Sequence, residues 1–141
     1  MTETSSDGRN RSGIGGWLQV LVRMLTLWHP IIYGLSSSAA IGAVSVRGPS
    51  VAIVLVARLL VVALGVAAGI ALRSGRAAAV RLTMASLALS AAMDVFVFTT
   101  PYYPSNRMPG ETPLYIGATI AYYAGWIVYL ARSGRVRRTF A

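Results

Sequence analysis

The stretch Leu82–Thr100, LTMASLALSAAMDVFVFTT, runs nineteen residues with a single charge, Asp94. A hydrocarbon core of about 30 Å needs ~20 apolar residues at 1.5 Å rise each, so the stretch reads as a membrane-spanning helix. A carboxyl group in that setting is costly unless something answers it. The rest of the chain is therefore read as what surrounds this helix and what meets Asp94.

Composition supports the membrane reading. Of 141 residues, 55% are apolar and only 12% charged, too oily for an ordinary soluble domain. There are no cysteines, which excludes disulfides, thiolate metal sites and cysteine nucleophiles. The formal charge of +9 comes from thirteen arginines and no lysine. The arginines flank apolar runs, a pattern of membrane anchoring and anionic-lipid contact rather than nucleic-acid binding.

Three further spans are expected. Residues 17 to about 45 form the first, with Gln19, Arg23 and Thr26 as a polar stripe and Pro30 predicting a kink. An alternative makes the part up to Trp28 an interfacial amphipathic helix followed by a short span; the single kinked helix fits better, because Ile31–Val46 is short and holds four serines. Residues 51–72 form the second span, interrupted by Arg58 alone, and residues 82–100 the third. Pro101–Pro113 contains four prolines and reads as an exposed loop, with Tyr102 and Tyr103 at headgroup level. Residues 114–131 form the last span.

Residues 1–13 are polar with no apolar period and are expected to be a disordered tail, leaving 14–132 as the transmembrane domain and 133–141 as a basic tail. The expected fold class is thus all-α: a polytopic, compact four-transmembrane-helix bundle with its first helix kinked at Pro30. Arginines sort by loop. Two lie in the N-terminal tail, three (Arg73, Arg76, Arg81) in the middle turn and four (Arg132, Arg135, Arg137, Arg138) at the C-terminus, against Arg47 and Arg107 in the other two loops. That bias places both termini in the cytoplasm and the seven arginines of the middle turn and C-terminus against anionic lipid headgroups.

Both ends of the domain carry a resemblance. Gly15-Gly16-Trp17-Leu18, and Trp126 followed by Tyr129-Leu130 and Ser133-Gly134-Arg135-Val136-Arg137-Arg138-Thr139-Phe140, resemble an uncharacterised family of small bacterial inner-membrane proteins drawn with four helices. The resemblance implies bacterial origin, the inner (cytoplasmic) membrane and four spans. It implies no activity, cofactor or site residue.

The sharpest site expectation is an intramembrane ion pair between Arg58 and Asp94. Arg58 lies seventeen residues before Gly75 and Asp94 nineteen after it, which puts them within ~3 Å in depth across an antiparallel hairpin at 1.5 Å per residue. Gly65 and Gly69 fall within about 20° of Arg58 at 100° per residue, forming a GxxxG ridge where another helix can pack closely. Thr83, Ser86, Ser90 and Asp94 form the facing stripe. A buried pair that fixes helix register is the bland reading, and a proton- or cation-coupled site at Asp94 the sharp one.

Gly34/Ser38/Gly42 and Gly117/Ala121/Gly125 repeat the small-residue spacing on the first and last spans, as packing ridges within the chain or between chains. Tyr115, Tyr122, Trp126 and Tyr129 lie roughly opposite the last of these ridges and are expected to face lipid or a partner. His29, the sole histidine, is expected to be a satisfied interior residue, and neither a metal site nor a cofactor is expected. The chain holds no paired carboxylates, nucleophile–base pair, H-E-x-x-H or phosphate loop, so no enzyme is expected. The expected role is a structural or accessory membrane component packing with other membrane proteins or itself. The alternative is a small oligomeric transporter or channel using Arg58 and Asp94.

Overall fold

The computed structural model describes residues 16–100 and 110–140. The expected N-terminal tail, the headgroup tyrosines Tyr102 and Tyr103, and Arg107 lie outside the described residues, as does the side chain of Arg135. The described elements are α1 (Trp17–Arg23), a π-helical turn (Met24–Trp28), α2 (His29–Arg47), α3 (Pro49–Arg73), α4 (Ala79–Thr99), α5 (Thr112–Arg132) and α6 (Gly134–Phe140). Four helical runs are long and apolar enough to cross a membrane: Trp17–Arg47, Pro49–Arg73, Ala79–Thr99 and Thr112–Arg132. The protein is an all-α helical bundle with the architecture of a multi-pass membrane protein.

The first span is continuous, and the disturbance expected at Pro30 takes a specific form. Pro30 has no N–H to donate and its ring crowds the carbonyl one turn back. The helix accommodates this upstream, in the wide turn Met24–Trp28, where the His29 N–H reaches back five residues to the Met24 carbonyl. Leu18, Leu21 and Leu25 are fully buried in a cluster that includes Leu72, Leu87 and Leu130. The segment before Trp28 is thus part of the bundle rather than a separate surface helix.

Helices α2 and α3 are separated by one residue. Gly48 adopts φ 87°, ψ −170°, a region essentially confined to glycine. Pro49 opens α3 at its first turn, where the missing N–H costs nothing. Gly48→Ala is accordingly expected to destabilise the folded protein by about 1–2 kcal/mol, measurable as a lowered unfolding midpoint in detergent. Between α3 and α4, Gly75 (φ 68°) terminates the helix in a Schellman arrangement: its N–H bonds the Leu72 carbonyl at 3.1 Å and the Arg76 N–H bonds Ala71 at 3.3 Å. This tight turn sets the α3–α4 register.

Neighbouring helices pack in chain order, α2 on α3, α3 on α4 and α4 on α5, with α1 and the π turn against α3. At one end, the Leu18–Leu130 cluster ties the first span to α5. At the other, a smaller cluster of Ala40, Val51, Val54 and Val97 joins α2, α3 and α4 without α5. There α5 leans on α4 through Phe98 and Tyr115, with ring centroids 6.0 Å apart, and α2 meets α5 at its first residue, His29, beside Tyr122 and Tyr123.

The C-terminal residues are more than a basic tail. They form α6, whose Val136 is buried in the larger core cluster. Exposed Arg137 and Arg138 flank it, and Arg73, Arg76, Arg81 and Arg132 are exposed at the same end of the bundle.

Candidate functional site

Mid-bundle, where α2 separates from α5, lies a cavity of about 220 Å³. A single water needs only roughly 10–15 Å³ of such space, so several waters or a small solute fit. Its polar wall combines Arg58 from α3, Asp94 from α4, His29 from α2, and Tyr122 and Tyr123 from α5. Its apolar wall includes Trp28, Ile32, Val61 and Met93.

The expected ion pair is present. Arg58 Nη2 lies 3.8 Å from Asp94 Oδ1, with side chains 17% and 27% exposed. The hairpin register set at Gly75 brings them to one depth, and the facing stripe is inward as expected: Thr83 and Ser86 are fully buried and Ser90 nearly so. At 3.8 Å the pair is long for a charge-assisted hydrogen bond. The second carboxylate oxygen, Oδ2, accepts a hydrogen bond from the Tyr123 hydroxyl at 3.0 Å. The carboxylate thus joins α3, α4 and α5 while one side faces the cavity.

A second layer of aromatic groups backs this pair. His29 Nε2 lies 3.4 Å from the Tyr122 hydroxyl, which in turn donates to Met24 Sδ at 3.3 Å. Tyr122 and Tyr123 meet edge-on at 5.0 Å, and His29 meets Tyr123 edge-on at 6.2 Å. Tyr33 closes the α2 side by donating to the Leu55 carbonyl at 2.9 Å. His29 is half-buried at the cavity wall, with the Tyr122 hydroxyl as its hydrogen-bonding partner. Among the described residues, no three His, Asp, Glu or Cys side chains gather as metal ligands would.

The packing ridges divide. Gly65 and Gly69 are buried: a Cβ on Gly65 would sit 3.4 Å from Ser86 Oγ, and one on Gly69 only 2.6 Å from Thr26 Cγ2. This ridge receives the first span and α4. Gly34, Gly42, Gly117 and Gly125 have nothing within 4 Å of a Cβ position, and Ser38 and Ala121 beside them are exposed. Those two ridges therefore do not pack within the chain, which corrects that half of the expectation.

The aromatic stripe of α5 is corrected in part, since Tyr115 stays 42% exposed while the others are half-buried. Tyr122 faces the cavity, Tyr115 packs on Phe98, and Trp126 and Tyr129 pack against the core. Long aromatic side chains bridge the wider gap to neighbouring helices, and the Tyr122 hydroxyl finds its partners, His29 and Met24, on that side. The bare small-residue face is left outside.

Tyr123 is the site residue that sequence reasoning missed. A phenol at mid-span requires a hydrogen-bond partner, which is a usable signal. The long loop before α5, however, leaves the α4–α5 register open in the sequence. No protein-family model, curated protein or solved structure matches the chain. Function is therefore argued from the site itself.

Proposed function

We propose that this chain is a small, non-catalytic transporter or channel component of a bacterial cytoplasmic membrane, with both termini inside, in which the Arg58–Asp94 pair lines a path for a proton or small polar solute. The observation that carries this reading is the cavity beside the pair. A purely structural pair is expected to be tightly packed with its polar atoms turned on one another. Here the charges stand 3.8 Å apart and border a space of about 220 Å³ with Tyr123, Tyr122 and His29 on its wall. Ionisable groups facing an intramembrane cavity mark solute and proton paths. The outward ridges Gly34/Ser38/Gly42 and Gly117/Ala121/Gly125 would supply contacts between copies. The concentration of arginines at one end supports the orientation, and the end motifs support the bacterial setting.

The test is flux in proteoliposomes. Asp94→Asn, and the charge-free double variant Arg58→Leu/Asp94→Leu, are expected to abolish proton or solute flux while retaining helix content. Full flux in the folded double variant would refute the path.

A second reading is favoured by the same outward ridges. They could seat other membrane proteins, making the chain an accessory subunit. A stoichiometric partner recovered by affinity purification from native membranes, with association unaffected by Asp94→Asn, would support that role instead.

A further inference from the structure

A second concavity lies at the basic end of the bundle, in the seam between the first span and α3. It is a groove of about 630 Å³ that the Arg58–Asp94 path does not use. Its mouth carries Gln19 and Arg23 from α1 and Arg73 from the last turn of α3, all three exposed. Gly69 sets their level. It packs against Val22, Leu25 and Thr26, so Arg73, one turn beyond it, stands level with the Gln19–Arg23 turn.

Below the mouth the wall turns apolar. Leu27 lies one turn deeper than Arg23, about 6 Å at 1.5 Å per residue. Ile70 and Val66 lie roughly 5 and 10 Å deeper than Arg73 on the same scale. Leu27 and Ile70 are more than half exposed, at 59% and 56%. Among the described residues that line the groove there is no carboxylate. Two guanidiniums on different helices thus share one opening with no negative charge of their own to bridge them.

We infer that this groove is a binding site for one anionic phospholipid. The phosphodiester is held between the Arg23 and Arg73 guanidiniums, whose planar N–H forks match phosphate oxygens, and the Gln19 amide can donate a further hydrogen bond. An acyl chain lies along Leu27, Val66 and Ile70. Free phosphate would answer the charge but leave that apolar wall uncovered, so the occupant is a lipid. The lipid clasps α1 to α3 beside the π turn. The site differs from the contacts expected of Arg76, Arg81 and Arg132, which are exposed at that end but do not line the groove.

The experiment is native mass spectrometry of the delipidated full chain, titrated with phosphatidylglycerol, phosphatidylcholine or inorganic phosphate in detergent. One phosphatidylglycerol is expected to be retained with roughly tenfold or greater preference over phosphatidylcholine, a size consistent with two arginines near a lipid surface. Arg23→Gln/Arg73→Gln is expected to remove that preference, and Arg76→Gln/Arg132→Gln to keep it. Ile70→Trp fills the apolar wall while leaving both arginines, and is expected to lose the lipid. Helix content by circular dichroism confirms that each variant is folded. Equal retention of both lipids, a preference that survives Arg23→Gln/Arg73→Gln, or saturation by inorganic phosphate alone would overturn the assignment.

Discussion

Asp94→Ala is expected to destabilise the protein by about 2–3 kcal/mol, because it leaves Arg58 without its counter-charge inside the bundle. The figure sits below the upper range for fully buried pairs, since the two side chains retain 17% and 27% exposure and stand 3.8 Å apart. The substitution also removes the carboxylate that accepts from the Tyr123 hydroxyl, a loss common to every Asp94 variant and softened by the cavity beside it, where water can serve as acceptor. Arg58→Leu/Asp94→Leu removes both charges and is expected to lie within about 1 kcal/mol of the native protein, because apolar residues replace an ion pair at little net cost. Thermal unfolding in detergent, followed at the helical dichroism band, measures the cycle. A single variant as stable as the native protein would mean that the carboxylate does not hold α3, α4 and α5 together. The cycle also separates stability from transport, since the double variant is the one in which folding survives and the proposed path does not.

The half of the site that depends on α3 and α4 was legible in the sequence. These helices are joined by a short turn whose glycine closes a defined cap, so counting residues from Gly75 fixes the depth of Arg58 against Asp94. The stripe Thr83, Ser86, Ser90 and Asp94 then fixes the facing side. The half that depends on α2 and α5 was not legible. Three spans carry the same small-residue spacing, and nothing in that spacing says which ridge meets a neighbour. The answer lies in the order of packing. α3 and α4 have neighbours on both flanks, whereas α2 and α5 are the end helices of the series and keep one side bare. Hence Gly65 and Gly69 are covered, Gly34, Gly42, Gly117 and Gly125 are not, and Tyr122, Trp126 and Tyr129 of α5 lean inward. The π turn was foreshadowed only as a disturbance at Pro30. Its placement one turn upstream reflects where the proline ring and its missing N–H make themselves felt.

Gly69→Val is expected to cost about 3 kcal/mol, at the upper end of the range for overpacking a close interface. A Cβ at this position would lie 2.6 Å from Thr26 Cγ2, 3.3 Å from Leu25 Cβ and 3.5 Å from the Val22 carbonyl oxygen. Thr26 has little freedom to move aside, because its hydroxyl donates to the Val22 carbonyl at 2.7 Å and rotation would break that bond. Leu25 is fully buried and is held by the core. The strain therefore falls on the contact between α3 and the π turn, which positions His29 at the cavity one residue later and carries the groove of Arg23 and Arg73. Gly117→Val and Gly125→Val place a Cβ where nothing lies within 4 Å, on the open side of α5, and are expected to leave the unfolding midpoint of the isolated chain within experimental error. If those variants instead shift the oligomer distribution in cross-linking or size-exclusion measurements while Gly69→Val lowers stability without doing so, the two kinds of ridge are separated by function. Gly65 and Gly69 would then close the fold, and the outward ridges would meet a neighbour. A Gly69→Val protein as stable as the native one would mean that the first span can stand away from α3, and the close approach of these two helices would lose its role in shaping the cavity.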